Sequence, residues 1–303
     1  MLKKVAISIG DINGVGIQLA LENHEKVSKL CEPIYCIDKK LLNKAAKKLN
    51  LTIPDDFNIF GKYKKVNVNP GIVKKNSGLF SYNSFINAIS LAKNKTVDSI
   101  CTLPINKESW NKAGINYVGH TDMLRDIFKQ DAIMMLGCEK MYVALFTEHI
   151  PLKNVPKQIK TNKLINFLTD FYNEVGKPQE AIAVLGLNPH AGDNGVLGDE
   201  EKKINKAIKV VNKKLNSKFE LQVPDIAFTP HTRIRFKYFV AMYHDQGLAP
   251  LKALYFEESI NISLNLPILR TSVDHGTAFD IAYKKDNNLS NKSYINAIKA
   301  AVN

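Results

Sequence analysis

Histidines that follow short apolar runs are the residues of this chain whose type and spacing first suggest chemistry. Five of the seven histidines stand in polar turns of this kind: His120, His149, His190, His244 and His275. Three neutral imidazoles can hold a divalent metal ion and leave one coordination position open for a substrate. The spacing of His149, His190 and His244 is too wide for a local metal motif. The residues alone therefore leave both a metal site and unrelated histidines open.

Arg270 stands out because the chain carries its positive charge almost entirely on lysine. The formal net charge is +13, yet only four residues are arginine: Arg125, Arg233, Arg235 and Arg270. Arginine is preferred where a planar fork must grip a carboxylate or a phosphate, and Arg270 ends an apolar run. The lysines alternate with apolar residues at helical spacing, which is typical of solvated helix faces. This distribution argues against nucleic-acid binding and favours a small anionic ligand.

Glycine-rich segments follow several of the apolar runs. GDINGVG, at 10–16, has neither the dinucleotide-binding glycine spacing nor a following Gly-Lys-Ser/Thr. A tight turn into a helix and a backbone nest for a polar ligand both stay open there. GLNPHAGDNGVLGDEE, at 186–201, contains turn residues that account for its glycines but not for its histidine. In GHTDML, Thr121 is predicted to cap a helix whose N-terminus would stabilise an anion beside His120.

Short apolar runs that alternate with amphipathic helices must position these residues. Strands are predicted at 5–9, 33–37, 99–103, 132–136, 141–146, 181–187, 226–230 and 239–243. Helices are predicted from about residue 15, at 40–49 and 161–175, in the lysine-rich segment after 200, at 291–302, and after the glycine turn of DHGTAFDIA (274–282). This alternation indicates an α/β fold with a mostly parallel sheet. The length of 303 residues favours two domains with a cleft between them.

The sequence shows no sign of export or of membrane insertion. The first residues, MLKKVAISIGD, contain an apolar run too short for a signal-peptide core, and no later run approaches the length of a membrane span. The four cysteines form no Cys-x-x-Cys pair and are predicted to be reduced thiols. We therefore expect a cytoplasmic protein.

Five segments together resemble the 4-hydroxythreonine-4-phosphate dehydrogenases of vitamin B6 synthesis. They are GDINGVG, TLPINK with GHTDML, GLNPHAGDNGVLGDEE, MYHDQGLAPLK and NISLNLPILRTSVDHGTAFDIA, in family order over nearly the whole chain. The resemblance implies the isocitrate/isopropylmalate dehydrogenase-like fold, a two-domain α/β/α architecture with a largely parallel sheet. It implies that residues 1–125 with 262–303 form one domain, and that 126–261 form a second that carries most metal ligands. It also implies a homodimer whose active site is shared across the subunit interface.

The resemblance implies roles for individual residues as well. His149, His190 and His244 match the family's ligands for a divalent metal (zinc, magnesium, cobalt or manganese), with His244 supplied by the other chain of the dimer. Substrate-binding positions are matched by His120, Thr121, Lys252, Asn261 and Arg270. A turn near NAD or NADP in the wider superfamily is matched by His275, Gly276 and Thr277. Asp245 is the expected general base, with orientation of a metal ligand as its alternative role.

The activity implied by the resemblance is oxidation of 4-phosphooxy-L-threonine at C3, dependent on NAD or NADP and on a metal. Decarboxylation to 3-amino-2-oxopropyl phosphate follows. A sister dehydrogenase acting on a four-carbon sugar-acid phosphate or on a dihydrodiol would use the same motifs. A metal-dependent hydrolase is the alternative from another class. A small phosphorylated substrate agrees with the positive net charge, and no nucleic-acid or membrane partner is expected.

Overall fold

The chain divides into two compact units in a computed structural model that describes residues 1–64, 66–285 and 287–303. Unit 1 comprises Met1–Gln130, Ile260–Ile262 and Leu266–Asn303, and unit 2 comprises Asp131–Ser259 and Ser263–Asn265. Within the described ranges, no helix has the length and apolar character needed to cross a membrane.

Unit 1 is built on parallel strands. These are β1 (Lys4–Ser8), β2 (Glu32–Cys36), β3 (Ser99–Thr102) and β10 (Leu269–Val273), in the spatial order β2-β1-β3-β10. The helices are α1 (Gly16–Glu22), α2 (His24–Ser28), α3 (Lys39–Leu49), α4 (Lys75–Lys93), α5 (Lys107–Lys112), α6 (His120–Phe128) and α13 (Lys292–Val302). All four residues of β3 are buried, which is why the strand reads as a continuous apolar run rather than an alternation.

Local capping chemistry defines several helices of this unit. The Asp38 side chain accepts a hydrogen bond from the amide of Leu41 and so begins α3, which ends at Asn50 in the left-handed conformation. Asn106 begins α5 in the same way, with its side chain 2.7 Å from the amide of Ser109. These caps satisfy amides that a helix leaves unpaired in its first turn.

Unit 2 is largely parallel as well. Its strands are β4 (Ile133–Cys138), β5 (Met141–Leu145), β6 (Ile182–Leu185), β7 (Phe219–Gln222) and β8 (Tyr238–Ala241), in the order β4-β5-β8-β6-β7. β4 and β5 pair antiparallel, whereas the β5–β8, β8–β6 and β6–β7 pairs are parallel. The helices are α7 (Val155–Gln158), α8 (Thr161–Glu174), α9 (Glu200–Leu215), α10 (Pro224–Ala227), α11 (Pro230–Arg233) and α12 (His244–Tyr255). β9 (Ile260–Leu264) contributes residues to both units.

The predicted α/β fold with a largely parallel sheet is confirmed, but two of the predicted elements are wrong. Residues 226–230 are not a strand: they span the end of α10 and the start of α11. Pro224 and Pro230 each stand in the first turn of a short helix, where a proline is pre-organised for helical geometry. DHGTAFDIA is a succession of turns rather than an entry into a helix.

The predicted helix cap at Thr121 is wrong by two residues. Gly119 is the cap of α6, and Thr121 lies in the first helical turn with its side chain buried. The Asp122 side chain reaches back to the amide of Val118 at 3.2 Å, which holds the chain where it enters the helix. The helix therefore fixes the position of Thr121, and Thr121 does not cap the helix.

Candidate functional site

The three histidines expected to bind metal follow three neighbouring parallel strands of unit 2. Strand β8 lies between β5 and β6, with Leu145 paired to Ala241 and Val184 paired to Val240. His149 follows β5, His244 follows β8 and His190 follows β6. Neighbouring strands are about 4.8 Å apart, and parallel strands end at the same edge of a sheet. The fold therefore carries all three imidazoles to one edge, although they are far apart in sequence.

Side-chain hydrogen bonds tie the three strand ends together. The Thr147 hydroxyl donates to the carbonyl of Met242 at 2.7 Å, which joins the segments after β5 and β8. Gln246 joins β8 to β6: its amide nitrogen donates to the carbonyl of Gly186 at 2.6 Å, and its amide oxygen accepts from the backbone of Met242 at 2.7 Å. Gln246 thus holds the start of α12 against the β6 end, a role that the sequence alone does not reveal.

His149 and His244 are side by side in one chain. Their ring centroids are 5.5 Å apart, with an angle of 43° between the ring planes. Two imidazoles on one tetrahedral metal ion have a similar separation, because each nitrogen stands about 2 Å from the metal. These two rings meet within one chain. The expected division of the ligands between two chains stays a prediction.

Asp245 sets the tautomer of His244. Its Oδ1 lies 2.7 Å from Nδ1 of His244, and because a carboxylate only accepts, the ring proton is on Nδ1. The unprotonated Nε2 is then the nitrogen left for a metal ion. Carboxylates that orient metal-binding histidines in this way are a recurrent feature of metal sites. The contact supports the orienting role of Asp245 more directly than its expected role as general base.

His190 stands on a strained turn, Pro189–Gly195. Five successive residues in it have left-handed backbone angles, with φ of 51° at His190, 51° at Ala191, 79° at Gly192, 42° at Asp193 and 57° at Asn194. For residues with a Cβ this conformation costs about 1–2 kcal/mol each. His190 is exposed at this position. Among the described residues, no three His, Cys, Asp or Glu side chains are already gathered closely enough to hold a metal ion.

Lys252 lies on α12 of the same unit, two turns beyond His244. Its ammonium group is 5.5 Å from the centre of the Phe256 ring, and its side chain is partly buried. The structure therefore places this predicted substrate residue with the histidines of unit 2, whereas the other predicted substrate residues belong to unit 1.

Arg270 is buried in unit 1, and its guanidinium group is hydrogen-bonded to Thr102 and His120. Its Nε and Nη2 donate to the hydroxyl oxygen of Thr102, at 3.0 and 2.6 Å, and Nη2 lies 3.1 Å from Nδ1 of His120. Thr102 is on β3, next to the β10 strand that carries Arg270. Burial lowers the pKa of Arg270 to about 10, so the group stays protonated at neutral pH. A buried cation is thereby fixed within unit 1.

His120 is the first residue of α6 and is packed edge-on against two aromatic rings. The ring centroids of Phe85 and Trp110 are 4.6 and 5.7 Å from that of His120. Burial first, and the charge of Arg270 second, hold the pKa of His120 well below its ordinary range. The imidazole is therefore neutral, and its Nε2 has no hydrogen-bond partner in the part of the chain that the structure describes.

Three predicted ligand-binding residues of unit 1 have a buried polar atom that no group among the described residues satisfies. The atoms are Nε2 of His120, Oδ1 of Asn261 and Nε2 of His275. Three further atoms of this kind, on Ser109, Thr169 and Tyr294, complete the set in the part of the chain that the structure describes. An unsatisfied buried polar atom costs about 1–3 kcal/mol, so a polar ligand that pairs with it gains that amount. The orphaned atoms thus fit a polar ligand at the predicted positions.

The DHGTAFDIA turn lies against the GDINGVG turn. The carbonyl of Thr277 accepts from the amide of Val15 at 3.1 Å, and a Cβ at Gly14 would be 2.7 Å from that same oxygen. His275 Nδ1 lies 3.0 Å from the carbonyl of Gly276, which is exposed. The three predicted cofactor-binding residues therefore form one turn that is fixed to the first motif.

GDINGVG itself is a structural turn rather than an open nest. The amide of Asp11 donates to Pro104, that of Asn13 to the Asp11 side chain, and that of Gly14 to the Asp11 carbonyl. Its amides are thus used inside the protein. Burial raises the pKa of Asp11, whose other carboxylate oxygen accepts from Ser77 at 3.1 Å.

The chain is similar to known proteins over nearly its whole length. The family described as pyridoxal phosphate biosynthetic protein PdxA matches residues 29–301. The chain is 62% identical over 301 residues to the 4-hydroxythreonine-4-phosphate dehydrogenase of Sulfurimonas denitrificans, covering 99% of this chain and 97% of that protein. It is 56% identical over 304 residues to the protein of the same name from Campylobacter fetus, covering 99% and 98%. The crystal structure of 4-hydroxythreonine-4-phosphate dehydrogenase from Klebsiella pneumoniae, 30% identical, superimposes with a TM-score of 0.83 over 100% of this chain and 98% of that one.

These relatives are named as dehydrogenases, and their similarity over the full chain supports an oxidoreductase. The chain belongs to the pyridoxal phosphate biosynthetic protein PdxA family.

Proposed function

We propose that this protein oxidises 4-phosphooxy-L-threonine at C3 with NAD or NADP and then releases CO2 to give 3-amino-2-oxopropyl phosphate. The reaction removes a proton from the C3 hydroxyl and a hydride from C3, and NAD or NADP would supply the hydride acceptor. The resulting 3-oxo acid would lose its carboxylate as CO2 and take up a proton at C2 to give the product ketone. The observation that carries the proposal is the contact between His149 and His244 at the edge where His190 also follows a strand. The names of the relatives supply the substrate.

The donor set of unit 2 fits a divalent metal ion. His149, His190 and His244 would hold zinc, cobalt, manganese or magnesium, with Nε2 of His244 freed for the ion by Asp245. When bound, such an ion polarises a substrate oxygen and lowers the pKa of a hydroxyl group. Asp245 holds the imidazole in the required tautomer, and its carboxylate is exposed to solvent. Lys252, on the same helix, adds positive charge for the anionic substrate.

Unit 1 supplies donors and a positive charge that suit a phosphate or a carboxylate. The neutral His120 donates from Nε2, and the buried cation of Arg270 stabilises negative charge nearby. Thr121 lies in the first turn of the same helix, where backbone amides favour an anion. Asn261 offers an amide whose oxygen has no protein partner. These groups can bind and orient the substrate but cannot by themselves accept a hydride.

The cofactor is assigned to the turn of His275, Gly276 and Thr277. The orphaned Nε2 of His275 and the exposed backbone of Gly276 offer polar contacts to a dinucleotide, and the bond from Val15 to Thr277 makes the turn rigid. When bound, NAD or NADP accepts the hydride, which no side chain of the protein can do.

The protein is further proposed to act as a homodimer whose interface includes the metal-binding edge of unit 2. Large apolar side chains are exposed there: Val196 at 79% and Leu197 at 47% follow the His190 turn. Sedimentation should give twice the chain mass of 34.0 kDa. A Val196→Glu variant that sediments as a monomer would support the interface, and a wild-type monomer with full activity would refute it.

The test of the activity is the appearance of reduced cofactor when 4-phosphooxy-L-threonine and NAD or NADP are mixed with metal-loaded protein. Release of CO2 and detection of 3-amino-2-oxopropyl phosphate by mass spectrometry complete the assay. Turnover only with a four-carbon sugar-acid phosphate or with a dihydrodiol would establish a sister dehydrogenase. Hydrolysis without any reduced cofactor would establish the hydrolase alternative and overturn the proposal.

A further inference from the structure

Glu201 is a buried carboxylate that none of the proposed steps uses. It lies in the first turn of α9 and its side chain is only 5% exposed. No lysine or arginine partner compensates its charge among the hydrogen bonds and ion pairs that involve it in the described residues. Its oxygens are instead paired with N–H groups of the segment that leads from β6 into the His190 turn. A buried carboxylate is retained at such a cost only where its contacts fix something in place.

Glu201 binds the base of the turn, which is the segment Leu187–Asn188 that leads into Pro189–Gly195. Oε1 accepts from the amides of Leu187 and Asn188, both at 2.8 Å, and Oε2 accepts from the side-chain amide of Asn188 at 2.9 Å. On the far side, a Cβ at Gly192 would approach Oε2 to 2.6 Å, so the backbone of the turn lies directly on the carboxylate. Glu201 therefore contacts the turn both before and after His190.

The turn needs this support because its backbone conformation is unfavourable. Residues 190–194 are all left-handed, and four of them carry a Cβ. Such a run persists only when its surroundings over-determine it, and strain of this kind is common at ligand-binding positions. Hydrogen bonds within the turn, from Ala191 to the carbonyl of Asn188 and from Leu197 to that of Gly192, close it on itself but do not attach it to the sheet. Glu201 supplies that attachment.

We propose that Glu201 is a positioning residue that holds His190 at the strand edge shared with His149 and His244, and thereby sets the affinity of the site for divalent metal. The inference rests on the proposed metal site. The neighbouring Glu200 provides a matched control, because its carboxylate also accepts from the Asn188 side chain, at 2.8 Å, but bonds to no backbone amide of the strand end in the described residues. A Glu→Gln change at either position removes one negative charge from the same helix turn.

The experiment is a Co²⁺ titration of metal-free full-length protein followed by visible absorption, for wild type, Glu201→Gln, Glu200→Gln and His190→Ala. A glutamine at 201 puts an NH₂ group opposite the donors of Asn188, so the base of the turn is no longer closed. We expect the Co²⁺ dissociation constant to rise at least tenfold in Glu201→Gln and to change less than threefold in Glu200→Gln. The absorption spectrum of Glu201→Gln should shift toward that of His190→Ala, a change that general loss of stability does not produce.

The outcomes separate this inference from the proposed function. If wild type binds no Co²⁺, the proposed metal site fails. If wild type binds and His190→Ala binds weakly, but Glu201→Gln matches Glu200→Gln, the positioning role of Glu201 is overturned while the metal site stands. Should Glu201→Gln lose cooperative unfolding, Asn188→Ala takes its place, since it removes the contact to Oε2 and leaves both backbone bonds. An affinity at least threefold weaker than in Glu200→Gln then supports the inference, and an equal affinity refutes it.

Discussion

Arg270 donates a hydrogen bond from Nη2 to Nδ1 of His120 across 3.1 Å inside unit 1. Because a guanidinium group only donates, this bond requires an unprotonated Nδ1 and leaves the ring proton on Nε2. The same relationship joins a permanent cation to a neutral donor, which is a suitable pair for a phosphate or a carboxylate. Both groups are buried, so the pair is assembled by the fold before any ligand arrives.

The depressed pKa of His120 predicts a loss of stability in acid. Below about pH 6.5 the unfolded chain takes up a proton on this residue, whereas the folded chain does not until a much lower pH. The contribution of neutral His120 to the free energy of unfolding is therefore complete above about pH 6.5 and declines as the pH falls through that value. The free energy of unfolding, measured in urea between about pH 5 and 7, should rise with pH less steeply in His120→Gln than in wild type. The two slopes should differ by up to about 1.4 kcal/mol per pH unit. Equal slopes would mean that His120 titrates normally in the folded protein.

Thr102→Val should weaken substrate binding through Arg270. The change removes the oxygen that accepts from Nε and Nη2, so the guanidinium loses the partner that orients it. We expect the KM for the phosphorylated substrate to rise about tenfold, which corresponds to about 1.4 kcal/mol, with a smaller change in kcat. Thr102→Ser retains the hydroxyl and should behave like wild type. A valine variant with unchanged KM would show that Thr102 has no part in orienting Arg270.

Arg270→Lys should raise the substrate KM at least tenfold and leave the affinity for NAD nearly unchanged. Lysine keeps the charge but loses the planar fork, which is worth about 1.4 kcal/mol or more at a two-pronged contact. Steady-state kinetics with each substrate varied in turn measure both effects. Unaltered kinetics would assign Arg270 to a purely structural contact with Thr102 and His120.

Removal of metal by a chelator should abolish activity, and addition of zinc, cobalt, manganese or magnesium should restore it. The reason is the set of three imidazoles at the ends of β5, β8 and β6, with two rings already 5.5 Å apart. The assay is NADH or NADPH formation before and after metal is returned. Full turnover by protein shown to be free of metal would remove the metal from the proposed function.

Asp245→Asn should weaken Co²⁺ binding by about 10-fold to 100-fold, the usual effect of removing a carboxylate that orients a metal-binding histidine. The bond between Oδ1 and Nδ1 of His244, at 2.7 Å, is the contact that the change weakens. Parallel titrations of wild type and variant give the affinity, and kcat is measured at saturating metal. An unchanged affinity with lost turnover would instead establish Asp245 as the general base.

Local patterns in the sequence determine much of the architecture. Apolar runs such as 99–103 and 239–243 mark the buried parallel strands, because such strands are covered on both faces. Where the pattern misled, a local reason can be found: residues 226–230 are apolar enough for a strand, but Pro224 and Pro230 begin short helices on either side. His24 is buried on α2, and its two ring nitrogens lie 2.9 Å from the Tyr35 hydroxyl and 3.0 Å from the Asp56 carboxylate, contacts that no local pattern reveals.

The sequence by itself also determined which residue types are available for chemistry, and the family motifs supplied roles for them. Only the tertiary structure decided which of them meet. The pairing of β8 with both β5 and β6 joins segments separated by dozens of residues, and no local pattern encodes the neighbours of a parallel strand. The left-handed turn at His190 and its attachment to Glu201 likewise depend on a contact between strand end and helix. Backbone strain of that kind is stabilised by the surrounding fold rather than by the residues that bear it.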